Sequence, residues 1–302
     1  MRRFAAFLFA IFVLFAASAR AEPQPGKPPI PLRGILYRVD YRGHTCYLFG
    51  TVHVGQSAFY PLEPRVMRAL HDADTLAIEV DVRDAAALRR AAQTYGFYPE
   101  GDTIDRHLPP GELAHLKQAL RHAGIPFENV ARMKPWMVAN LLLVQAMARH
   151  GFPPGQGIEE YFLAVAQKEG KAVTGLETAG YQLSLFDRLD DAQQRAYLHE
   201  TLRNLASGKE VREGLALIDA WQHADDAAMQ SAMRDTLSDG PSDRLIEKLL
   251  LAQRNPAMAA KIGALIRRDR DCFVAIGALH LLGRDGVPAL LAAQGYRVRK
   301  LY

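Results

Sequence analysis

Two short apolar runs, far apart in the chain, end in the same way: a glycine, two further residues and a histidine. The first run, 46–50, leads to His53, and the second run, 272–277, leads to His280. A short apolar run bounded by glycine predicts a buried strand of a sheet that is covered on both faces. A glycine at its end lets the chain turn sharply or lets a ligand approach the backbone. If the two strands run in the same direction, both imidazoles emerge at the sheet edge where α/β proteins bind ligands.

Each histidine taken alone is more simply interpreted as a loop or core residue bonded to backbone. The chain has ten histidines, and most of the others lie in charged, helix-like stretches where a solvated role is the better interpretation. Two copies of one pattern, each directly after a predicted buried strand, favour a shared polar site instead.

The remaining segments alternate between strand-like and helix-like patterns. Such an alternation indicates a mostly parallel sheet. The sequence therefore predicts an α/β fold, with a single mixed, mostly parallel sheet and large helical insertions. The predicted strands are 34–40, 45–50, 75–81, 171–177, 272–277 and 296–301, and the predicted helices are 62–73, 84–95, 111–123, 135–149, 158–168 and 286–294, with a helical stretch over 178–269.

The first 31 residues have the pattern of an export signal and a leader. Residues 1–21 combine a basic start, an apolar centre and an Ala-x-Ala site, which predicts a signal peptide cleaved before Glu22. The apolar centre is shorter than the roughly 20 residues of a membrane span, so cleavage is favoured over an anchor. Residues 22–31 form a Pro-rich leader, and 32–302 form the α/β domain. The expected location is periplasmic or secreted, with no membrane contact after cleavage.

Charge and motifs exclude several functions. Cleavage would remove Arg2, Arg3 and Arg20, which lowers the formal net charge from +4 to +1, so the basic composition is no argument for a nucleic-acid partner. The sequence has no P-loop, no G-x-G-x-x-G and no G-x-S-x-G motif, so phosphate binding, nucleotide binding and serine hydrolase chemistry are not indicated.

The two cysteines, Cys46 and Cys272, begin the two strands that lead to the histidines. An exported protein can form a disulfide, and the two strands are expected to be neighbours or nearly so. The alternative is a pair of buried thiols. Cys46 lies four residues before its glycine and Cys272 five, which places them on opposite pleat phases relative to the glycines. The sequence leaves both states open.

Two carboxylates come at unusual positions. Glu79 interrupts an apolar strand, and Glu177 closes another. A buried carboxylate has to be paired, protonated or bound to a metal, and a salt bridge to a structural arginine is the alternative to a functional role. Two histidines with one or two carboxylates make a nitrogen and oxygen ligand set for a divalent metal, and the lack of thiol ligands argues against a closed structural zinc site.

Arg254 and Asn255 precede Pro256 at a predicted helix boundary. Near a metal, a guanidinium and an amide could stabilise an oxyanion or hold a substrate carboxylate. The alternative is a helix cap with a surface ion pair.

Seven short motifs are spread along the chain: Gly50-Thr51-Val52-His53, Ala77-Ile78-Glu79-Val80-Asp81, Lys134-Pro135-Trp136, Gly157-Ile158-Glu159, Gly175-Leu176-Glu177, Arg254-Asn255 and Gly277-Ala278-Leu279-His280-Leu281-Leu282-Gly283. With these motifs in this order, the chain resembles the TraB/GumN family over nearly the whole of its predicted mature length. The resemblance implies an EreA/ChaN-like fold and relatedness to the Tiki metalloproteases, which depend on manganese or cobalt. It also implies that His53, Glu79 and His280 form the metal site, with Arg254 and Asn255 close by.

Residues and resemblance together predict a secreted or periplasmic metal-dependent hydrolase, specifically a metallopeptidase that acts on a peptide or protein with a metal-activated water. The metal would be manganese, cobalt or zinc. Glu79 would be a ligand or the general base, and Glu177, Arg254 and Asn255 would complete the catalytic set. The alternative is a non-catalytic protein that binds haem or a peptide signal on the same fold.

Overall fold

The structure, a computed structural model, describes residues 30–237, 248–268 and 271–302. The predicted signal peptide and residues 22–29 of the predicted leader lie outside this part of the chain. Within it, no helix combines the length and the apolar character that crossing a membrane requires.

In the described part of the chain, one mixed sheet of six strands organises the fold, as predicted. The strand order is β4-β3-β5-β2-β1-β6. The four adjacent strands β4, β3, β5 and β2 pair in parallel, whereas β1 pairs antiparallel with β2 and with β6. The carboxyl ends of the four parallel strands therefore lie at one edge. The strands are β1 Leu36–Tyr41, β2 His44–Thr51, β3 Thr75–Ile78, β4 Ala172–Gly175, β5 Cys272–Gly277 and β6 Arg297–Lys300.

The register between β2 and β5 aligns the cysteines rather than the glycines. Cys46 pairs with Cys272, and the two form a disulfide with their Cα atoms 4.5 Å apart. Gly277 then lies opposite Thr51, one residue beyond Gly50. Because the cysteines are aligned, the two glycines are offset by one residue at the end of the strands that carries the histidines.

The apolar runs are buried because helices cover the sheet. The first five residues of β5 and all of β3 are buried, as continuous apolar strands of a parallel sheet usually are. Gly50 allows the backbone after β5 to pass close to the end of β2, because a Cβ atom at this position would lie only 3.0 Å from the Cα of Ala278. The chain leaving β5 can therefore fold across the end of β2.

The six helices that were predicted individually begin and end close to their predicted bounds. The predicted helical stretch over 178–269 is divided into five helices, and its residues 238–247 and 269 lie outside the described part of the chain. Some of the helices form a second core beside that of the sheet. Buried residues of α3, α4 and α7, among them Leu116, Val138 and Leu198, make a separate apolar cluster. The large helical insertions are thus packed units. The helices are α1 Pro64–Asp72, α2 Ala85–Tyr95, α3 Pro110–Ala123, α4 Pro135–Arg149, α5 Ile158–Lys168, α6 Ala179–Asp187, α7 Asp191–Ala206, α8 Lys209–Gln222, α9 Asp226–Leu237, α10 Asn255–Ile266 and α11 Val287–Ala293, with a π-helical turn at Lys248–Ala252.

Candidate functional site

Four polar side chains follow the ends of the four parallel strands. His53 comes two residues after β2, and His280 comes three residues after β5. Glu79 directly follows β3, and Glu177 comes two residues after β4. Glu79, Glu177 and His280 are buried, whereas the side chain of His53 is 70% exposed.

The prediction that β3 extends to residue 81 is wrong. The ladder ends at Ile78, whose partners are Ala275 in β5 and Gly175 in β4. Glu79 therefore lies just beyond the strand instead of interrupting it. At this position its carboxylate reaches groups at the sheet edge rather than the apolar layers that cover the strands.

Glu79 accepts hydrogen bonds from three sides. Its Oε1 accepts from the N–H of Gly277 at 2.6 Å, and its Oε2 accepts from Arg254 Nη2 at 2.6 Å and from Gln182 Nε2 at 3.1 Å. Burial alone would raise the pKa of Glu79, but His280, His53 and Arg254 together outweigh it and lower the pKa to about 2. The carboxylate is therefore ionised at neutral pH.

Arg254 joins the two buried carboxylates. Its Nη2 donates to Glu79 at 2.6 Å and to Glu177 at 2.7 Å, and its Nε donates to both oxygens of Glu177. Its Nη1 donates to the carbonyl of Leu250 in the π-helical turn at 2.9 Å. Arg254 caps α10 at the predicted helix boundary, but it is buried and its three nitrogens are all bonded within the protein. Because of these bonds, Arg254 is suited to fixing the carboxylates of Glu79 and Glu177, and not to holding the carboxylate of a substrate.

Asn255 sets the protonation of His280. Its Nδ2 donates to the carbonyl of Asp285 at 2.8 Å, so its Oδ1 faces His280 Nδ1 at 2.5 Å and must accept a proton from it. Burial lowers the pKa of His280 to about 4, so the ring is neutral at neutral pH. The network therefore assigns the proton to Nδ1 and a free lone pair to Nε2.

His280 Nε2 and Glu79 Oε1 lie 3.6 Å apart. Both atoms offer electron pairs, so no hydrogen bond joins them. The space in front of them is kept open by Gly277, where a Cβ atom would lie 3.1 Å from Glu79 Oε1, 3.6 Å from His280 Cδ2 and 3.8 Å from His53 Nε2. The structure thus brings all three side chains to one point above Gly277.

His53 is held by a carboxylate that the sequence did not single out as a site residue. Its Nδ1 lies 2.8 Å from Glu159 Oε1, which also accepts from Thr51 Oγ1 at 2.5 Å. The charge of Glu159 raises the pKa of His53 well above its usual value of 6.5. Because much of the imidazole is exposed, water screens this charge and limits the shift.

Two residues of the site, Glu159 and Gln182, were missed as functional residues from the sequence. Glu159 lies in the first turn of α5, in a motif that carries the family resemblance, and that motif was the available signal. Gln182, on α6, donates to both Glu79 and Glu177. A lone glutamine in a helical insertion carries no sequence signal, because only the packing of α6 against the sheet edge brings it there.

The described residues contain no group of three or more His, Cys, Asp or Glu side chains arranged so that it could hold a metal ion. His280 and Glu79 come closest to one, as a pair of acceptors at 3.6 Å. His53 faces the same point from the exposed side.

Sequence comparison relates the chain to known proteins. The model of the TraB/PrgY/gumN family matches residues 35–300. The chain is 24% identical over 245 residues to YbaP of Escherichia coli K12, which covers 81% of this chain and 87% of YbaP. It is 24% identical over 317 residues to Metalloprotease TIKI2 of Xenopus tropicalis, which covers 88% of this chain and 60% of that protein.

Metalloprotease TIKI1 of Danio rerio is 23% identical over 357 residues, with 99% of this chain and 70% of that protein covered. No solved structure matches significantly. Because the family model spans nearly all the described residues, the chain belongs to the TraB/PrgY/gumN family.

Proposed function

We propose that this protein is an exported metallopeptidase in which His53, Glu79 and His280 hold one divalent metal. The observation that carries the proposal is the convergence of these three side chains on the point above Gly277. The free lone pair of His280 Nε2 faces the ionised carboxylate of Glu79 there, with no proton between them. Similarity to two proteins named as metalloproteases supports the same chemistry.

The donor atoms fit a divalent metal. Two imidazole nitrogens and a carboxylate oxygen suit zinc, manganese or cobalt, and they leave room for water or substrate. Nε2 of His280 and Oε1 of Glu79 lie 3.6 Å apart, so that both would be able to bind the same ion. His53 would be the third donor: its Nε2 is among the atoms nearest to Gly277, and its ring is largely exposed. A bound metal would acidify a water molecule and polarise a peptide carbonyl.

The protein's own groups prepare this site. Glu79 is a better ligand than general base, because a carboxylate with a pKa of about 2 is a poor proton acceptor at neutral pH. Arg254 balances the charge of Glu79 and Glu177 and fixes both. Asn255 keeps the lone pair of His280 directed at the site. Arg254 and Asn255 thus act through the residues they hold.

The alternative function, binding of haem or a peptide signal without catalysis, has less support. The atoms around Gly277 are carboxylate and imidazole atoms, and Glu79 and Glu177 are both buried there. A haem pocket is predominantly apolar, so this carboxylate-rich edge is a poor match for it.

The test is peptide hydrolysis by purified, metal-stripped protein supplied with zinc, manganese or cobalt. Hydrolysis should appear with at least one metal and require one ion per chain. His53→Ala, His280→Ala and Glu79→Gln should each reduce it by roughly a hundredfold or more, and the double histidine variant should lose little beyond either single variant, because the site acts as a unit.

A matched control is available in His71. Its side chain is 72% exposed and lies near a glutamate, Glu169, at 3.5 Å, but it is in the last turn of α1, which leads into the opposite end of β3. His71→Ala should leave hydrolysis unchanged. No bound metal and no hydrolysis in the wild-type protein, or full hydrolysis in the double histidine variant, would reject the proposal.

Export is a separate part of the proposal. It rests on the basic start, the apolar centre and the Ala19-Arg20-Ala21 site. N-terminal sequencing of the protein recovered from outside the cytoplasm should begin at Glu22. Mature protein that retains Met1 in the membrane would contradict it.

A further inference from the structure

His53 and His280 have partners of different kinds. His280 donates to a neutral amide, whereas His53 Nδ1 lies 2.8 Å from the carboxylate of Glu159. Glu159 is only 7% exposed, and the same oxygen accepts from Thr51 Oγ1 at 2.5 Å. A chain of three side chains therefore runs from buried Thr51 at the end of β2, through buried Glu159, to the exposed imidazole of His53.

Local structure fixes Glu159 at this place. α5 begins at Ile158, so Glu159 lies in its first turn, where the helix dipole stabilises a negative charge. The N–H of Ile158 donates to the carbonyl of Val52 at 3.4 Å, which ties the helix start to the residue before His53. Tyr60 supports the approach to the helix by donating to the carbonyl of Gly157 at 2.9 Å.

Stability alone does not explain a carboxylate here. The Oε2 atom of Glu159 is buried and has no hydrogen-bond partner among the described residues. Thr51 and His53 thus supply its hydrogen bonds through one oxygen. Burying an ionised group with so few partners costs free energy, and an apolar side chain of similar size would fill the space at lower cost.

We infer that Glu159 is a positioning residue for His53, which holds the imidazole by Nδ1 so that Nε2 faces the point above Gly277. Thr51 in turn orients Glu159. This inference rests on the proposed function, because it assigns Glu159 to one of the proposed metal ligands. A carboxylate that accepts from the outer nitrogen of a ligating histidine fixes its orientation and makes it a stronger ligand.

The neighbouring Glu160 supplies a matched control. It lies in the same turn of α5, and its carboxylate lies over Gly157 rather than on the imidazole. Glu160→Gln and Glu159→Gln each remove one negative charge near His53, but only the second changes the group bonded to Nδ1. Comparing them separates the hydrogen bond from the general effect of charge.

The experiment measures zinc affinity by competition with a chelator in metal-stripped protein. Glu159→Gln should weaken zinc binding by about tenfold and Glu159→Leu by up to about a hundredfold, the range found for such partners of metal ligands. Thr51→Val should weaken it by a smaller factor. Glu160→Gln should change it by less than about twofold.

Nitrogen-15 NMR of zinc-loaded protein with labelled histidine provides a readout that a purely structural role would not change. The wild-type protein and Glu160→Gln should show His53 bound through Nε2, with a slowly exchanging proton on Nδ1. In Glu159→Leu that proton should exchange rapidly. If this variant does not fold, Glu159→Gln, which keeps the shape of the side chain, decides the question.

The outcomes separate the two claims. Equal zinc affinity and an unchanged Nδ1 proton signal in folded Glu159 variants would overturn the role of Glu159 and leave the proposed function standing. An equal loss of affinity in Glu160→Gln would also overturn it, because charge alone would then be the cause. A wild-type protein that binds no zinc, manganese or cobalt would reject both claims.

Discussion

The two glycine-x-x-histidine segments end in the same motif but in opposite environments. His280 is 3% exposed, and burial lowers its pKa to about 4. The side chain of His53 is 70% exposed, and Glu159 raises its pKa to about 10. The motif thus determines where an imidazole emerges from the sheet. The helix start that packs beside it, α10 for His280 and α5 for His53, determines its partner and its protonation.

The site accordingly has two halves. The inner half consists of Glu79, Glu177, Arg254, Asn255 and His280, all of which are buried. Arg254 joins the two carboxylates by ionic hydrogen bonds, and a neutral hydrogen bond joins His280 to Asn255. The outer half consists of Thr51, Glu159 and His53. We expect the inner half to determine stability as well as function, and the outer half to act mainly on function.

The largest effect on stability is expected from Arg254→Met. This change leaves Glu79 and Glu177 as buried, uncompensated charges, which should lower the free energy of unfolding by about 3–5 kcal/mol. Urea unfolding measures it. The control is Arg284→Met, whose ion pair with Asp285 is exposed at 94% and 79% and should contribute less than about 1 kcal/mol. Equal effects of the two changes would contradict the division into halves.

Removal of the disulfide should come next. Replacing Cys46 and Cys272 by alanine should lower the free energy of unfolding by about 2–5 kcal/mol, because the bridge closes a loop of 226 residues. The bridge lies at the opposite end of the strands, roughly 17 Å from the histidine edge at about 3.3 Å per residue. Zinc affinity should therefore change little. A matching loss of zinc affinity would show that the bridge itself aligns the two halves.

The single histidine variants should separate stability from function. His280→Ala leaves the Oδ1 atom of Asn255 buried without its donor and should lower the free energy of unfolding by about 1–3 kcal/mol. His53→Ala should cost less than about 1 kcal/mol, because the ring is mostly exposed. Hydrolysis should fall to a similar extent in both. Thermal unfolding of the metal-free variants checks the difference, and equal destabilisation would refute the contrast.

The smallest expected effects are changes in the free energy of unfolding with pH, and His280 and His53 contribute to them with opposite signs. The pKa of folded His280, about 4, lies below 6.5, so its contribution to stability is present above pH 6.5 and is lost as the pH falls towards 4. The pKa of folded His53 is raised, so its contribution is present below pH 6.5 and is lost as the pH rises towards 10, and exposure reduces its size.

Urea unfolding of metal-free protein between pH 4.5 and 9 tests this pair of effects. His280→Gln should flatten the acid limb of the stability profile, and His53→Gln should alter only the alkaline limb. Glu79 contributes at still lower pH, because its stabilising effect is lost as the pH falls from 4.5 towards 2. Identical profiles for the two histidine variants would contradict the assigned environments.

Most of the fold could be predicted because its signals are local. The apolar runs, the glycines and the helical periodicity predicted the strands and six of the helices to within a few residues, but they did not divide the stretch 178–269 into its separate helices. The predicted ends of β3 and β4 lie beyond the observed ends, at Ile78 and Gly175. Hydrogen-bonded pairing between two strands ends where either strand ends, and the sequence of one strand does not show this point. The sequence also left the cysteine pairing open, since only the register between β2 and β5 aligns Cys46 with Cys272.

The site was less predictable than the fold. The sequence singled out His53, Glu79 and His280, because each follows or interrupts an apolar run. The partners that set their chemistry are contacts between distant segments: Glu159 is 106 residues from His53 in the numbering, and Gln182 is 103 from Glu79. Arg254 was predicted at the site, but only the structure shows that its nitrogens are all bonded within the protein.

The central claim is that both glycine-x-x-histidine segments serve one metal ion. Anomalous diffraction at the zinc edge, from crystals of the zinc-loaded protein, tests it most directly. We predict one ion above Gly277, bonded to Nε2 of His53, Nε2 of His280 and the carboxylate of Glu79. An ion bonded to only one of the two histidines, or no ion at this edge of the sheet, would contradict the claim.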